Sequence, residues 1–582
     1  KPYVRQQIPA AKTQIKRKNY RQHNKNKRPQ QCGCKKHFMH KSVIKKLFHK
    51  TIITEFDKIN MCRFWTLAEF YEIIRYIEKH NRGVSMTETL DFRAFGKNDI
   101  RGIYGEDVTE ELFYFAGRGY IKFILENLNK NADERTDAKD LWVSVARDAR
   151  THSQSLTDSL IKGVTSTGAN VLNIGMVPTP LGYYSEFAQI PSNVIIKGKI
   201  NGALIVTASH NPSEYNGLKM TFDKGSLTEE QIKEVKKLSM AEVNARETSN
   251  RHGIIKKYDI IEQYTESIVN KFASVGRGIK VVTDCGNATA GVVAPQLYRD
   301  LGCEVVELFT EPDGTFPNHH PNPSDEKTLD VLKKTVVEEK ADIGIAFDGD
   351  SDRIGIVDTK GNALTGDKLL LIYAQDIVEP LAKRGECPCV VSEVKCSQVL
   401  YDTINAMGGN AIMTKTGHGY IKSKMKEENA ILAGEMSGHT FFKDRYYGFD
   451  DAIYAGCRII EIIAKQKACN PDFKIEDMLK PFEGVCTSKE VRFRCPNEFK
   501  KSVLEDMEKE VEKNPDLFGT KIKDIITLDG MRIILEDGFA MIRQSNTEPV
   551  FTLRFEAKSE QNCKHYEDTF VNLLDKTVKK YC

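Results

Sequence analysis

Short apolar runs alternate with amphipathic stretches along most of the chain from about residue 90. Stretches with apolar residues at helical spacing, such as THSQSLTDSLIKGVTSTG (151–168) and KTLDVLKKTVVEEK (327–340), predict helices. Five other runs have the length and β-branched content of buried strands: WVSVARD (142–148), ANVLNIG (169–175), GALIVTA (202–208), IKVVTDCG (279–286) and ADIGIAFD (341–348). Strands that alternate with helices predict layered α/β domains with parallel sheets.

The pattern changes towards the C-terminus. GFDDAIYAGCRIIEIIAKQ (448–466) predicts a long amphipathic helix, and after about residue 485 charged helices and strands of alternating polarity predict a smaller α+β domain. At 582 residues the chain exceeds the size at which a single core stops growing. We therefore expect three α/β domains followed by one α+β domain, over residues 89–254, 255–362, 363–480 and 481–582.

Residues 1–88 differ from these domains. Residues 1–54 contain sixteen Lys or Arg and no Asp or Glu, whereas the rest of the chain has a net negative charge. A basic segment without a core of its own is typical of disorder, although it could also bind nucleic acid. Residues 61–80 predict one amphipathic helix. Four possible zinc ligands lie within nine residues: Cys32, Cys34, His37 and His40. Their spacing is tighter than in the usual structural zinc sites.

Apolar stretches and cysteine usage indicate where in the cell the protein is expected. No uninterrupted apolar stretch approaches the ~18–20 residues that a membrane span needs, so no transmembrane helix is expected. The fourteen cysteines are scattered, and many lie inside apolar runs. That pattern suits reduced thiols better than a disulfide framework, which predicts a cytoplasmic protein.

The stretch TASHNPSEYNGLKM (207–220) follows the apolar run ALIV. A serine directly after a short buried strand, followed by the turn signals Asn-Pro and Asn-Gly, is a common way to hold a nucleophile rigidly. Ser209 is therefore a candidate nucleophile. The alternative is a serine that only caps the next turn.

The stretch FDGDSDRIG (347–355) follows the predicted strand IGIAF. Its three carboxylates alternate with small residues, so they can converge on one hard cation: Asp348, Asp350 and Asp352. An EF-hand does not fit, because Arg353 and Thr359 stand where its loop needs Gly and Glu. A nucleophilic aspartate or a solvated acidic turn would also place carboxylates after a strand, and mutual repulsion disfavours the solvated turn.

Two later stretches carry polar side chains suited to a sugar phosphate. In AGEMSGHTFF (433–442), an extended segment would put Glu435, Ser437 and His439 on one side, where they suit sugar hydroxyls; a core strand with incidental polar residues is the alternative. In RQSNTEPVFTLRFEA (543–557), a loop before a strand offers donors for a phosphate, although a capping turn would look similar: Arg543, Ser545, Asn546 and Thr547. No G-x-x-x-x-G-K-[ST] sequence is present.

TASHNP, FDGDSDR, GEMSGH and RQSNTEP, in this order, resemble the α-D-phosphohexomutase family from about residue 91 to the C-terminus. GEMSGHTFFKDRYYGFDDAIYA and PDGTFPNHHPNP are most similar to its bacterial-type phosphomannomutase/phosphoglucomutase branch. The resemblance implies an α/β fold of four domains around a central cleft, three similar mixed α/β domains and a smaller α+β domain. Each domain then contributes one loop to the cleft.

The resemblance also implies roles for individual residues. Ser209 matches the phosphoserine, which is a metal ligand together with Asp348, Asp350 and Asp352. Lys219, on the loop of Ser209, matches a family position implicated in proton transfer or phosphoryl stabilisation, as do Arg353 and His439. Arg101 and His210 match residues that line the same site. Six residues match the family's substrate contacts: Glu435, Ser437, Lys395, and the three residues Thr416, Gly417 and His418 of KTGHGY. Four residues match its phosphate loop: Arg543, Ser545, Asn546 and Thr547.

The implied function is that of an isomerase that interconverts hexose 6-phosphate and hexose 1-phosphate of glucose or mannose. The family's reaction uses Mg²⁺ and passes through a hexose 1,6-bisphosphate, which also activates the enzyme. The expected binding partners are then small hexose phosphates, and no membrane association is expected. Nucleic acid would bind only through the basic leader, and the expected oligomeric state is a monomer or weak dimer. The alternatives are a phosphoglucosamine mutase, which usually has Gln where Met436 stands, and a catalytically silent homologue.

One departure from the family pattern concerns the first domain. The family's aromatic-Asp-Ile-Arg-Gly run is interrupted here as AFGKNDIRG (94–102). An aromatic that often lines the cleft is therefore expected to be displaced, which leaves Phe95 without an assigned role.

Overall fold

The structure is a computed structural model that describes residues 90–130, 132, 135–195, 199–245, 251–545 and 548–581. The described residues form four successive β-sheets with their helices. The predicted leader, its amphipathic helix at 61–80 and the possible zinc ligands lie outside the described residues.

The first sheet has seven strands in the order β1-β5-β4-β2-β3-β7, with β6 paired to β5. Strands β4, β2, β3 and β7 run parallel, whereas β5 is antiparallel to both β4 and β1. The strands are β1 Ile100–Ile103, β2 Trp142–Arg147, β3 Asn170–Met176, β4 Ala203–Val206, β5 Tyr215–Phe222, β6 Gly225–Ser226 and β7 Ile255–Lys257. The helices are Glu110–Asn129, Ser153–Ser166, Thr179–Tyr184 and Glu229–Asn244.

The second and third sheets have the same mixed character. The second has the order β12-β11-β10-β8-β9 and the third β14-β13-β15-β16, each with three parallel strands at its centre or edge. Their strands are β8 Lys280–Asp284, β9 Glu304–Leu308, β10 Ile343–Phe347, β11 Ile354–Val357, β12 Ala363–Leu364, β13 Cys389–Glu393, β14 Asn410–Thr414, β15 Leu432–Gly434 and β16 Thr440–Phe442. Their helices are Ile261–Phe272, Ala294–Asp300, Asp330–Glu338, Gly366–Ala382, Gln398–Ala406, His418–Glu427 and Ala452–Cys469.

The fourth sheet is antiparallel throughout, in the order β17-β22-β21-β20-β19, with β18 paired to β22. Its strands are β17 Cys486–Thr487, β18 Val491–Arg494, β19 Ile522–Ile526, β20 Met531–Leu535, β21 Gly538–Gln544 and β22 Val550–Ala557. Two helices, Lys500–Lys513 and Glu560–Val578, accompany it. Short 3₁₀ helices elsewhere cover Ala138–Asp140, Thr289–Val292, Glu326–Leu329 and Ile475–Phe482.

The first three sheets share one hydrophobic core, whereas the fourth sheet has a separate one. A continuous cluster of buried side chains extends from Trp142 beside the first sheet to Phe482 after the third. The fourth sheet has a core of its own, and a small cluster around Val394 and Phe539 joins it to the third sheet. The first three domains therefore form one packed body, and the C-terminal domain adds to it through a limited apolar contact.

The five predicted strands and three predicted helices all form, with ends that differ by a few residues. The helix predicted at 448–466 begins at Ala452, because the side chain of Asp451 caps it by accepting from the N–H of Tyr454. Phe95 is buried in the core of the first domain, with its ring 5.7 Å from that of Phe92. In the interrupted run, this aromatic therefore has a packing role.

Among the described residues, no helix combines the length and the apolar character that crossing a membrane requires. Most of the ten cysteines in the described part of the chain are buried. Burial raises the pKa of the Cys285 thiol well above its usual value, as it does for Cys396 and Cys457. These thiols behave as small apolar side chains.

Candidate active site

The loop after β4 holds Ser209 in an unusual backbone conformation. All four residues of β4 are buried, and the N–H of Ser209 donates to the Thr207 hydroxyl at 2.9 Å. Ser209 is 2% exposed and has φ of 51°, in the left-handed region that non-glycine residues rarely adopt. Such a conformation persists where the surroundings determine it, so this loop is rigid at its serine.

Buried Arg150 supplies much of that rigidity. Its guanidinium donates to the carbonyl oxygens of Ser209 at 2.8 Å and Asn211 at 2.6 Å, and also reaches those of Pro212 and Tyr215. A planar fork of donors satisfies several carbonyls at once and fixes the path of the loop. The arginine follows the end of β2, the strand next to β4 in the sheet.

Three aspartates follow β10 and meet the serine. The Ser209 hydroxyl donates to Oδ2 of Asp348 at 2.9 Å, although the residues belong to different sheets. One carboxylate oxygen of each of Asp348, Asp350 and Asp352 lies within 4.8 Å of the others, and all three side chains are buried. Burial, and then repulsion from Asp352 and Asp350, raises the pKa of Asp348 well above its usual range.

This acidic cluster fits a hard cation. Oδ1 of Asp350 and Oδ1 of Asp352 are buried and accept no hydrogen bond from the described residues. Carboxylate oxygens are the ligands that Mg²⁺ prefers, and a buried carboxylate oxygen without a hydrogen bond, such as Oδ1 of Asp350, is costly without a cation. The cluster can therefore bind a metal ion, and the three carboxylates that the sequence grouped do lie together.

Lys219 also faces the aspartates, from a different element than predicted. It lies on β5 opposite Ile205 of β4, and not on the loop of Ser209, because the loop ends at Tyr215, where β5 begins. Its ammonium lies 2.7 Å from Oδ2 of Asp350 and also contacts Asp352. Burial alone would lower the pKa of Lys219, but the two aspartates raise it well above its usual value.

Glu435, Ser437 and His439 lie together, but the extended segment predicted for them is wrong. They occupy a tight reversal between β15 and β16, in which the N–H of Glu435 donates to the carbonyl of His439 at 3.0 Å. Gly438 allows the reversal with φ of 94°. His439 Nδ1 lies 2.7 Å from Oε2 of Glu435 and 3.0 Å from the Ser437 hydroxyl. We name residues 435–439 the sugar turn.

The pKa values of two histidines of the site, His439 and His210, are shifted in opposite directions. Burial and Arg353 lower the pKa of His439, but Asp352 at 3.4 Å and Glu435 outweigh them and raise it to about 9. His439 is therefore protonated at neutral pH, with Arg353 Nε 3.3 Å from its Nε2. Burial, then Arg353 and Arg101, lowers the pKa of His210 to about 2, so this ring is neutral beside Ser209, 3.2 Å from its hydroxyl.

Three further predicted residues, Arg101, Gly417 and His418, contact the serine loop or the sugar turn. Arg101 on β1 donates to the side chain of Asn211 at 2.9 Å, on the serine loop. The N–H of Gly417 donates to Oε1 of Glu435 at 2.7 Å, and the ring of His418 stacks 5.8 Å from that of His439. The serine loop, the acidic cluster and the sugar turn therefore share one set of neighbours.

The predicted phosphate loop is described in part. Arg543 lies on β21 and not in a loop, because the ladder to β22 continues to Gln544. Its Nε donates to Asp529 at 3.2 Å, and the same carboxylate accepts the N–H of Thr416 at 3.1 Å. Ser545 follows the strand and accepts the N–H of Glu548 at 3.2 Å. Asn546 and Thr547 lie outside the described residues.

Four family models cover nearly all the described chain. They are the phosphoglucomutase/phosphomannomutase alpha/beta/alpha domains I, II and III, matching residues 93–246, 262–361 and 365–480, and the C-terminal domain, matching residues 490–573. The chain belongs to the phosphoglucomutase/phosphomannomutase family. Its members of this type are isomerases that move a phosphoryl group, and the fold is the four-domain phosphohexomutase fold.

Individual relatives agree with the family assignment. A phosphomannomutase/phosphoglucomutase of Pseudomonas putida is 38% identical over 82% of this chain and 94% of its own. A phosphoglucomutase of Neisseria gonorrhoeae is 36% identical over 83% of this chain and 96% of its own. A crystal structure of a phosphoglucomutase/phosphomannomutase family protein from Burkholderia thailandensis covers 83% of this chain and 97% of its own, with a TM-score of 0.71 and 33% identity.

Several residues that contact the candidate active site were not predicted from the sequence. Arg150 is one, although the charged stretch Arg-Asp-Ala-Arg (147–150) at the end of β2 could have singled it out. Another is Asp450, a buried carboxylate directly before the long helix, which pairs with Lys422 at 2.8 Å and lies near His418. A third is Glu393, a buried carboxylate at the end of β13, which accepts the N–H of Met436 at 2.8 Å.

Proposed function

We propose that this chain is a phosphohexomutase that interconverts the 6-phosphate and 1-phosphate of glucose and mannose. The observation that carries the proposal is the Ser209 hydroxyl 2.9 Å from Asp348, within an acidic cluster that suits a divalent cation. Phosphoryl transfer needs positioning and charge neutralisation more than covalent chemistry from the protein. A rigid serine beside a cation site supplies both.

The cation is Mg²⁺ in this proposal, held by Asp348, Asp350, Asp352 and the phosphorylated Ser209. Bound there, Mg²⁺ neutralises charge on the phosphoryl oxygens. Lys219 and Arg353 flank the cluster and bind the same group electrostatically. The two aspartates raise the pKa of Lys219, so its side chain is an ammonium when it meets the phosphoryl group.

The reaction begins when the phosphoryl group on Ser209 passes to the free hydroxyl of a hexose phosphate. The bond between phosphorus and the serine oxygen breaks, a bond to the sugar oxygen forms, and the sugar hydroxyl loses its proton. Lys219 and His439 both carry a proton at neutral pH. We assign them as the candidates that protonate the leaving serine oxygen, and the residue that has given up its proton can then accept the proton of the sugar hydroxyl.

The product, a hexose 1,6-bisphosphate, must turn around and return its other phosphate to Ser209. We assign the sugar hydroxyls to Glu435 and Ser437. We assign further substrate contacts to Lys395, Thr416, Gly417 and His418 on the third domain. The distal phosphate falls to the loop of the fourth domain, with Arg543, Ser545, Asn546 and Thr547. Because charged and backbone donors grip a phosphate regardless of what it is attached to, the distal site can hold either end of the sugar.

Finer features belong to the same proposal. We propose domain boundaries near 254, 362 and 480, and a lid motion of the C-terminal domain, which its separate core supports. All four loops come from one chain, which supports a monomer or weak dimer, and cysteines scattered through buried positions support a cytoplasmic location. Nucleic-acid binding by the basic leader stays a prediction about residues outside the described part.

The discriminating experiment compares kcat/KM for glucose 1-phosphate, mannose 1-phosphate and glucosamine 1-phosphate, with Mg²⁺ and a trace of hexose 1,6-bisphosphate. We expect turnover of glucose and mannose phosphates and its loss in Ser209→Ala. A clear preference for the amino sugar would favour a phosphoglucosamine mutase. No turnover of any of them by the unaltered protein would favour a silent homologue.

A further inference from the structure

The turn that follows β13 is held from the C-terminal domain. The carbonyl oxygens of Val394 and Cys396 both accept hydrogen bonds from Nη1 of Arg532, the second at 2.8 Å. The intervening carbonyl, that of Lys395, accepts from Nη1 of Arg554. Two arginines of the fourth sheet therefore satisfy three consecutive main-chain oxygens of the third domain.

Both arginines are fixed by their surroundings. Arg532, on β20, is 1% exposed, and its guanidinium lies 3.7 Å from the centre of the Phe539 ring. Arg554, on β22, also donates to Oδ2 of Asp367 at 3.2 Å. That carboxylate in turn accepts the N–H of Ser397 at 2.9 Å, directly after the turn. A buried guanidinium with charged and carbonyl acceptors makes strong, directional hydrogen bonds.

The clamped turn touches the sugar turn. The ammonium of Lys395 lies 3.5 Å from Oε2 of Glu393, whose other oxygen accepts the N–H of Met436 at 2.8 Å. Nη1 of Arg554 itself lies 3.0 Å from the sulfur of Met436. Continuous contacts therefore connect the arginines to Lys395 on one side and to the sugar turn on the other.

We call the hydrogen bonds from Arg532 and Arg554 to residues 394–396 the clamp. It lies where the C-terminal domain joins the packed body of the first three domains. The C-terminal domain has a separate core, and the small cluster of Val394, Phe539 and Met541 is its apolar contact with the third domain. Val394 belongs to the clamped turn, and Phe539 packs under Arg532. A change in how the C-terminal domain sits would therefore act directly on the main chain that carries Lys395.

We propose that Arg532 and Arg554 are positioning residues that hold the main chain of residues 394–396 and thereby set Lys395 against the sugar turn. The inference rests on the proposed function only in taking Lys395 as a substrate contact. It gives the C-terminal domain a second task besides its phosphate loop, which is to support the sugar side of the site from behind.

The test combines kinetics with hydrogen exchange on the full chain. We expect Arg554→Gln to lower kcat/KM roughly ten- to hundredfold, the range that a small misplacement of a binding group produces. Amide exchange at residues 395–398 should rise in the same variant, and Arg554→Lys should recover part of the activity. Arg118→Gln, which removes a buried arginine paired with Glu242 in the first domain, is the matched control and should keep kcat/KM.

The decisive arm is a double-mutant cycle. If Arg554 acts through Lys395, then Arg554→Gln causes little further loss in a Lys395→Ala background. Additive losses, or unchanged exchange at residues 395–398, would overturn the inference. Should Arg554→Gln fail to fold, Arg532→Lys serves the same cycle. A wild-type chain without mutase activity would count against the proposed function alone, because amide exchange still reports on the clamp.

Discussion

The Ser209 hydroxyl and Oδ2 of Asp348 are joined by a hydrogen bond of 2.9 Å across two domains. The contact is reinforced by the backbone, since a Cβ at position 349 would lie 2.5 Å from the carbonyl oxygen of Ser209. Thr179 adds a further link, because its hydroxyl donates to Oδ2 of Asp350 at 2.6 Å. The serine loop and the acidic cluster are therefore interlocked and meet without any domain movement.

Gly349→Ala tests this interlock. The added methyl group would force the two loops apart, so we expect a loss of about 1–3 kcal/mol in the free energy of unfolding and a marked loss of kcat. Thermal unfolding and mutase kinetics measure both. Gly225→Ala is the matched control, because its Cβ would approach no atom closer than 3.8 Å. Equal effects of the two variants would show that the close approach has no consequence.

Asp348→Asn separates stability from function. Burial and like charges raise the pKa of Asp348, so a neutral amide relieves repulsion when no cation is bound. In chelator we expect the melting temperature to rise by roughly 1–2 °C, the shift that about 1 kcal/mol produces in a packed body of more than about 250 residues.

With Mg²⁺ the order should reverse. The unaltered protein gains stability on binding the cation, whereas Asp348→Asn gains little and loses activity. Exposed Asp472→Asn is the control and should follow the wild type in both buffers. A variant that Mg²⁺ stabilises as strongly as the wild type would remove Asp348 from the ligands.

Glu186 gives the first domain a pH-dependent stability. Burial raises its pKa from 4.5 to about 7, although the Thr221 hydroxyl and the N–H of Lys224 hydrogen-bond to it and act the other way. Between these values the folded state binds more protons than the unfolded state, so stability falls as pH rises from about 4.5 to 7.

Glu186→Gln should remove that dependence. The variant should match the wild type at about pH 4, below the unfolded-state pKa, and exceed it at pH 8 by roughly 1–3 kcal/mol, the scale set by about 1.36 kcal/mol per pKa unit. Unfolding at the two pH values measures the difference. A variant less stable than the wild type at pH 8 would mean that the carboxylate itself is favourable there.

The sequence was sufficient where chemistry is local in the chain. Asp348, Asp350 and Asp352 follow one strand within five residues, and Ser209 follows another, so strand ends and residue types were enough. The same reasoning failed for the sugar turn, since positions i, i+2 and i+4 can share one side in a strand but also meet in a tight reversal. Only the pairing of β15 with β16 separates the two cases.

Contacts between distant positions could not be predicted from one sequence. Arg150 holds carbonyls about sixty positions away, and Arg554 holds that of Lys395 from another domain. No local pattern links such partners, because the sheet order and domain packing bring them together. Lys219 and Arg543 were assigned to loops because strand ends are set by ladder pairing, which turn residues indicate only approximately.

The most direct measurement of the central claim is the site of phosphorylation during turnover. The protein is treated with isotopically labelled glucose 1,6-bisphosphate and Mg²⁺, digested, and its peptides are examined by mass spectrometry, before and after a chase with unlabelled glucose 1-phosphate. The account predicts label on Ser209 that moves into hexose phosphate during the chase and is absent from Ser209→Ala. Label on another residue, or label on Ser209 that no sugar phosphate removes, would contradict it.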